Sequence, residues 1–136
     1  MAVHPTTEQI QALVDGPADS PVVMLNLLKF ADRASDNAGE EAMSGRESYG
    51  KYGDGVRKLL EKTGGRILWQ GRADSVVIGG DADDWDAVIL VEYPSRQAFL
   101  DMTSTPEYRE VGKSRTSALA DSRLIAMTQQ YRLTGD

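Results

Sequence analysis

The sequence contains no cysteine and only one histidine, His4, among its 136 residues. The absence of cysteine excludes disulfide bonds, thiolate nucleophiles, Cys-ligated zinc and iron–sulfur clusters. One histidine near the N-terminus leaves haem and transition metals without their usual ligands, so we expect neither a metal site nor a cofactor. A cysteine-free chain suits the reducing cytoplasm, and we expect a cytoplasmic protein.

Basic side chains and long apolar runs are also scarce. The chain has 21 acidic and 15 basic side chains and a net charge of -6, which disfavours nucleic acid and anionic lipid as partners. The longest apolar run, Val22 to Leu28, is interrupted by Asn26 and is too short to span a bilayer. Residues 1–21 lack the basic and apolar regions of a signal peptide. We therefore expect no nucleic acid and no membrane among the partners.

The first half of the chain has the pattern of a helix, a strand and a longer helix. Residues 6–16 combine a capping box, an apolar stripe and a Gly-Pro stop, which predicts a leading helix. Val22 to Phe30 is a nearly continuous apolar run, typical of a strand covered on both faces. The polar, aperiodic residues 31–44 predict a loop, either an active-site lid or a plain connection. Gly45 to Thr63 predicts an amphipathic helix.

The second half predicts three strands and further helix. Arg66 to Arg72 with Ser75 to Ile78 is typical of a strand, straight or bent, and the apolar run from Trp85 to Tyr93 stops at Pro-Ser before a helical segment. A second helix begins at Pro106, and a last strand is expected around residues 124–130. The order strand, helix, strand, strand, helix, strand predicts an α+β, ferredoxin-like βαββαβ sandwich in a single domain over residues 1–136.

Both long apolar strands have two apolar faces. In the first strand we expect Val23, Leu25 and Leu27 to lie under the helices, because the alternate set contains the polar Asn26. The second face of each strand is still too apolar for water, and a second copy of the same sheet is its simplest partner. We therefore predict a homodimer.

Three segments together resemble a known family. They are Pro21 to Phe30, Trp85-Asp86 running to Tyr93-Pro94-Ser95, and Pro106-Glu107-Tyr108 with Arg115. They resemble a family of small bacterial proteins classed as a domain of unknown function within the dimeric α/β barrel superfamily, over most of the chain from Thr6 to Tyr131. The resemblance implies two sheets packed face to face, with a pocket between each sheet and its helices or at the barrel mouth.

The resemblance does not choose a reaction. It implies kinship with cofactor-independent monooxygenases, muconolactone-type isomerases, haem-dependent enzymes and ligand-binding transcription regulators, and one fold serves all of these. The haem branch implies an axial histidine on a late helix, which this chain lacks.

Seven residues are candidates for ligand binding, each with a structural alternative. Asn26, a carboxamide within a buried strand, orients a substrate oxygen or bonds to protein. Arg72 and Glu92, if they meet on one sheet face, bind a carboxylate or polarise an enol, or else form an intersubunit salt bridge. Three aromatic side chains, with Trp85 beside them, line a pocket suited to a flat, partly apolar ligand, or else they belong to the core. They are Tyr49, Tyr52 and Trp69. Arg115 caps a helix carbonyl, pairs with a nearby glutamate or holds an anionic substrate.

Other motifs fail on context. The glycine-rich residues 50–55 have no preceding strand and no Gly-Lys-Ser/Thr ending, so they do not form a phosphate loop. Asp81 to Asp86 with Glu92 imitates a calcium loop, but Trp85 occupies a ligand position. No Gly-x-Ser-x-Gly motif exists, and no histidine is placed to activate a serine.

The sequence therefore predicts a homodimer that binds a small, partly apolar organic molecule. A cofactor-free oxygenase or isomerase would use Asn26, a tyrosine and an arginine to stabilise an enolate-like anion. The alternative is a non-catalytic, ligand-binding or stress-associated dimer, in which the same polar groups hold the subunits together.

Overall fold

The computed structural model describes residues 4–32 and 44–130, which form four helices and four strands. The helices are α1 (Thr7–Val14), α2 (Gly45–Thr63), α3 (Arg96–Thr103) and α4 (Pro106–Ala118). The strands are β1 (Val22–Phe30), β2 (Arg66–Arg72), β3 (Ala87–Tyr93) and β4 (Leu119–Met127), and a short 3-10 turn covers Asp81–Asp83. The loop predicted for residues 31–44 lies, apart from its ends, outside the described residues.

The four strands form one antiparallel sheet in the order β2-β3-β1-β4. With the helices after β1 and β3, this order is that of a ferredoxin-like sandwich, so the predicted fold is confirmed. Two strand predictions need correction. Ser75 to Ile78 is not a strand, because those residues lie in the connection between β2 and β3 without a partner strand. The last strand begins at Leu119 rather than near Leu124.

The helix ends follow from local chemistry. Four hydroxyl side chains accept a hydrogen bond from the backbone N–H three residues later, and so satisfy donors that the first helical turn leaves free. These N-caps are Thr6, Ser44, Ser95 and Thr105. α2 ends at Gly64, whose φ of 83° is the left-handed conformation that glycine adopts without strain.

The prediction of which β1 face lies under the helices is wrong. The buried core contains Met24 and Leu28, which are 2% and 0% exposed, so the even residues of β1 face the helices. Val23, Leu25 and Leu27 lie on the opposite side of the sheet. The pattern was misleading because both faces of β1 are apolar in their centre and each carries one polar residue, Asn26 in the even set and Lys29 in the odd set. Asn26 lies on the side of the helices, where its amide donates to the carbonyl oxygen of Ile89.

We call the two sides of the sheet the helix-covered face and the open face. The register pairs Met24 with Val91 and Leu28 with Ala87, so the odd residues of β3 share the helix-covered face. The open face carries mainly aliphatic side chains: Val23, Leu25, Leu27, Val88, Leu90, Ile125 and Met127, with Trp69 at the β2 edge.

Candidate functional site

Two hydrophobic clusters lie between the sheet and the helices, and Asn26 lies between them. Met24 belongs to the first cluster and Leu28 to the second. The cross-strand neighbours of Asn26 are Ile89 and Leu124, of which Ile89 is half-buried and Leu124 is 45% exposed. The row of Asn26, Ile89 and Leu124 is therefore less buried than Met24 and Leu28, which lie on either side of Asn26 in β1.

Asn26 is held by the sheet through its nitrogen. Its Nδ2 donates to the carbonyl oxygens of Ile89 at 3.2 Å and Met24 at 3.4 Å. Within residues 4–32 and 44–130, no donor is bonded to its Oδ1. These two bonds to backbone carbonyl oxygens use the N–H donors of the side-chain amide and so fix its plane. They leave the amide oxygen as the remaining acceptor. Asn26 thus presents a carbonyl oxygen on the helix-covered face.

A chain of four aromatic rings runs from β1 through α2 to α4. Phe30 and Tyr49 have ring centroids 5.6 Å apart, Tyr49 and Tyr52 5.3 Å, and Tyr52 and Tyr108 6.2 Å. Tyr49 packs on the cluster of Leu28, and Tyr108 packs on the other cluster. The chain therefore bridges the two clusters. We give the candidate site the name hollow and define it by its sheet residues, Asn26, Ile89 and Leu124, and its helix residues, Tyr49, Tyr52, Tyr108 and Arg115, of which Ile89 and Tyr49 pack on the cluster of Leu28.

Burial keeps the tyrosine hydroxyls protonated. It raises the pKa of Tyr52 well above its ordinary value, with further contributions from the neighbouring hydroxyl of Tyr108, to which it is hydrogen-bonded at 3.0 Å. Burial also raises the pKa of Tyr49 and of Tyr93. At neutral pH these phenols are therefore hydrogen-bond donors, not phenolate bases.

Arg115 brings positive charge to this group of hydroxyls. It lies on the last turn of α4, and both its charge and a hydrogen bond act against the rise in the Tyr49 pKa that burial causes. Its charge also acts to lower the pKa of Tyr52 and of Tyr93, against the larger effect of burial. Arg115 is therefore placed beside tyrosine hydroxyls, a contact that is not among the three roles predicted for it, and those roles stay predictions.

The remaining predicted residues lie elsewhere. Trp69 is on the open face, where it is 56% exposed and lies against Gly71. Glu92 is also on the open face, and its ion-pair partner is Arg66 at 3.0 Å. Arg72 lies at the far end of β2 and pairs with Asp74 at 3.0 Å.

The Arg72–Glu92 pair that we considered from the sequence is therefore not formed. β2 and β3 run antiparallel, with Arg66 opposite Glu92 and Arg72 opposite Ala87 at the other end of β3, so Arg72 cannot reach Glu92. Glu92 also lines a shallow pocket of about 210 Å³ with Val23 and Gln129, at the end of the sheet.

Two members of the tyrosine group were not predicted as site residues. The sequence indicates Tyr108 only as part of a helix and of the family resemblance, and Tyr93 only as an apolar strand position. The signal that could have found Tyr108 is its phase on α4: it lies on the side that packs on α2, as does Ser114, which accepts a hydrogen bond from Ser48 of α2.

Neither a cluster of metal ligands nor a membrane-spanning helix occurs in the described part of the chain. No group of three or more histidine, aspartate or glutamate side chains there is arranged to hold a metal ion. None of the helices in residues 4–32 and 44–130 combines the length and apolar character of a membrane span.

Comparison with known families gives one match. The family described as "Domain of unknown function (DUF1330)" matches residues 39–129, which confirms the predicted resemblance to a family of unknown function. No curated protein matches the chain.

Solved structures agree on the fold. A protein of unknown function from Rhodopseudomonas palustris, RPA0582, is 36% identical, with coverage of 95% of this chain and 97% of that one and a TM-score of 0.85. The structure of methylated RPA0582 is 35% identical, with 96% of both chains covered and a TM-score of 0.89.

More distant structures share only the fold. Hydroxynitrile lyase from Passiflora edulis is 10% identical over 85% of this chain and 98% of that one, with a TM-score of 0.57. A dimeric ferredoxin-like protein of unknown function from Bacteroides fragilis is 13% identical over 83% of this chain and all of that one, with a TM-score of 0.52.

Proposed function

Because this chain belongs to the DUF1330 family of domains of unknown function, we propose its function from its own geometry: a homodimer of single ferredoxin-like domains that binds a small, partly apolar organic ligand in the hollow. The observation that carries the proposal is the position of Asn26. Its Oδ1 lies between two packed clusters, in a row whose other members are Ile89, which is half-buried, and Leu124, which is 45% exposed. A cytoplasmic location stays a prediction from the sequence.

The chemistry of the hollow indicates the class of ligand. Ile89 and Leu124 supply apolar contact, Asn26 Oδ1 supplies an acceptor, and the tyrosine hydroxyls supply donors. Small-molecule sites commonly combine a mainly apolar lining with a few convergent polar groups. The ligand that fits has an apolar body, a hydroxyl or N–H group for Asn26, and a carbonyl or anionic oxygen for the tyrosines and Arg115.

The same donors support catalysis without a cofactor. Neutral phenol hydroxyls and a guanidinium stabilise negative charge that develops on a substrate oxygen, as in an enolate-like anion. An isomerase must also move a proton from one carbon of the substrate to another, and because the neutral phenols and Arg115 are not bases, water would have to accept that proton and return it. A cofactor-free oxygenase additionally needs dioxygen as the oxidant. We propose one of these two reaction classes, with Arg115 and Tyr49 at the oxygen of the substrate.

The open face supports the homodimer. Its centre is aliphatic, Leu25 is directly opposite Leu90, and Ile125 is 46% exposed. An apolar patch of this kind is typical of an interface, and a two-fold partner with the same patch is self-complementary. The ferredoxin-like protein from Bacteroides fragilis shows that this fold occurs as a dimer.

One observation favours the non-catalytic alternative. The hydroxyls of Tyr52 and Tyr108 are already hydrogen-bonded to one another, and the amide nitrogen of Asn26 is already hydrogen-bonded to the backbone of β3. Buried polar groups with such partners are commonly structural. In this case the hollow holds a ligand without turnover, or Asn26 serves only to join β1 to β3.

A thermal-shift screen with matched variants tests these proposals. The panel contains quinols, aromatic polyketide-like phenols, lactones, small carboxylates, flavin and haem. A ligand at about 100 times its Kd should stabilise the protein by roughly 2.7 kcal/mol, which raises Tm by several degrees. Asn26→Ala removes the acceptor in the hollow. Gln97→Ala removes an exposed carboxamide on α3 and is the control.

The outcomes separate three cases. If one chemical class raises Tm of the wild type and of Gln97→Ala but not of Asn26→Ala, the hollow is a binding site, and that class is then tested for turnover and for exchange of its acidic C–H protons. Silence across the panel, together with a loss of about 1–3 kcal/mol and a weaker dimer in Asn26→Ala, would assign Asn26 a structural role. A hit that Asn26→Ala retains would place the ligand elsewhere.

A further inference from the structure

Tyr93 is buried, and its hydroxyl has no hydrogen-bond partner in the part of the chain that the structure describes. The residue is only 7% exposed. Buried phenol hydroxyls usually have a partner, because an unsatisfied polar group in the interior costs free energy. In residues 4–32 and 44–130, every side-chain nitrogen or oxygen that is fully enclosed has such a partner. The Tyr93 hydroxyl is therefore not fully enclosed, and it borders space that a small ligand group can enter.

Packing fixes the direction of this hydroxyl. The ring of Tyr93 meets that of Phe99 edge to face, with centroids 5.1 Å apart and an interplanar angle of 80°. It belongs to the first hydrophobic cluster, on which Tyr108 also packs. The hydroxyl lies close enough to Tyr49, Tyr108 and Arg115 for their polar groups to act on its pKa. Tyr93 therefore directs its hydroxyl from the end of β3 toward the helix residues of the hollow.

The hydroxyls around the hollow supply more protons than the described residues accept. The oxygen of Tyr49 accepts a hydrogen bond from Arg115, which leaves its own proton to donate. The bond between Tyr52 and Tyr108 uses one of their two protons. Three hydroxyl protons are then left for an acceptor from outside the described residues, one each from Tyr49 and Tyr93 and one from the hydrogen-bonded pair.

This set of donors indicates the chemistry of the acceptor. A carbonyl oxygen has two lone pairs, whereas a carboxylate offers about four acceptor sites on its two oxygens. Hydrogen bonds to a carboxylate are charge-assisted and roughly twice as strong as those to a neutral oxygen. The guanidinium of Arg115 acts on the same tyrosines, and one guanidinium matches one negative charge. A carboxylate therefore suits these donors better than a ketone, a lactone or a dianion.

From the buried hydroxyl of Tyr93 and the surplus of donors, we propose that the ligand of the hollow is a small monocarboxylate with an apolar body, and that Tyr93 donates to its carboxylate. The inference rests on the ligand-binding function proposed above and narrows it. The carboxylate binds at the tyrosine hydroxyls and Arg115, and the apolar body lies toward Ile89 and Leu124. Tyr93 joins the residues that define the hollow.

Matched ligand pairs and one conservative variant test the proposal. Isothermal titration calorimetry measures the Kd of phenylacetate, cyclohexanecarboxylate and hexanoate and of their primary amides, which have the same apolar bodies without the charge. We expect at least one carboxylate to bind about tenfold or more tightly than its amide. Tyr93→Phe retains the ring and removes only the hydroxyl, and it should raise the Kd of that carboxylate at least about tenfold. Gln97→Ala, at an exposed residue of α3, is the control and should leave Kd unchanged.

Two further readouts separate binding from a structural role. Tyr93→Phe should leave the Tm of the ligand-free protein unchanged or raise it, because no hydrogen bond within the described residues is lost. Tyr52→Phe, which does remove such a bond, should lower Tm. In NMR of labelled tyrosine Cζ carbons, the signal that is missing from Tyr93→Phe should shift when the carboxylate is added to the wild type. Circular dichroism checks the fold of each variant.

The outcomes distinguish this inference from the function on which it rests. Carboxylates that bind no better than their amides, or whose Kd is the same in Tyr93→Phe, would overturn the inference. If Asn26→Ala abolishes that binding, the hollow still stands as a ligand site. A ligand-free Tm as low in Tyr93→Phe as in Tyr52→Phe would assign the hydroxyl a structural partner and also overturn the inference. Silence of the carboxylates and of the whole thermal-shift panel would overturn both proposals.

Discussion

The hydroxyl oxygens of Tyr52 and Tyr108 lie 3.0 Å apart, so that one hydrogen bond joins α2 to α4 beside the hollow. Their rings meet edge to face, at an interplanar angle of 85°. Two phenols have two hydroxyl protons, and the bond between them uses one. The second proton is therefore available to a ligand oxygen, and the pair acts as structure and as donor together.

Removal of either hydroxyl should destabilise the protein modestly. Tyr52→Phe and Tyr108→Phe each remove the shared bond and leave the other hydroxyl without this partner, so we expect a loss of about 0.5–1.5 kcal/mol in the free energy of unfolding. The double variant should lose less than the sum of the two, because the bond is removed only once. Urea denaturation measures all three variants. Additive losses would show that the two hydroxyls act independently.

Alkaline pH should destabilise the protein through the same residues. Burial raises the pKa of Tyr52 above its ordinary value of 10.0. Unfolded chains therefore lose this proton from about pH 10, while the folded protein keeps it. Stability is fully present below pH 10 and falls above it, by at most about 1.4 kcal/mol per pH unit for each such tyrosine. In Tyr52→Phe the fall should be less steep. Parallel stability curves for the wild type and the variant, measured from pH 8 to pH 11, would contradict this account.

Two glycines of α2 should respond in opposite ways to the same substitution. A Cβ on Gly45 would meet the backbone oxygens of Ala31 and Ala118, whereas a Cβ on Gly50 would meet nothing within 4 Å. We expect Gly45→Ala to cost about 1–3 kcal/mol through overpacking. Gly50→Ala should stabilise the helix by roughly 0.5–1 kcal/mol. Thermal or urea unfolding measures both, and a stabilised Gly45→Ala would show that the N-terminus of α2 moves without cost.

Local signals made the fold predictable. The capping box of Thr6 and Gln9 is present at the start of α1, and the apolar run before Pro94-Ser95 is β3 leading into α3. Such signals depend on neighbours within a few residues, so one sequence is enough to read them. The order of strands then follows from the restricted set of ways in which two such units pack.

The site was less predictable because it depends on contacts between distant segments. The side of β1 that faces the helices is set by packing in three dimensions, and a strand that is apolar on both faces gives no sign of it. The pairing of β2 with β3 places Arg66, and not Arg72, opposite Glu92. The Tyr52–Tyr108 bond joins residues 56 positions apart. Asn26 could be singled out because a carboxamide within an apolar strand is rare enough to be noticed alone.

Two adjacent residues of β4 distinguish the two faces of the sheet. Leu124 is 45% exposed on the helix-covered face, and Ile125 is 46% exposed on the open face. The substitutions Leu124→Asp and Ile125→Asp are therefore matched in chemistry, in exposure and in position on the strand. We expect Ile125→Asp to raise the dimer Kd by about tenfold or more, because the two-fold axis places a charge from each subunit in one apolar interface. Leu124→Asp should leave Kd unchanged and weaken the binding of any ligand found by the thermal-shift screen, because its carboxylate enters the hollow.

Light scattering after gel filtration measures the first effect, and the ligand-induced change in Tm measures the second. The reverse pattern, with Leu124→Asp dissociating the dimer, would place the subunit contact on the helix side and remove the physical basis of the ligand site.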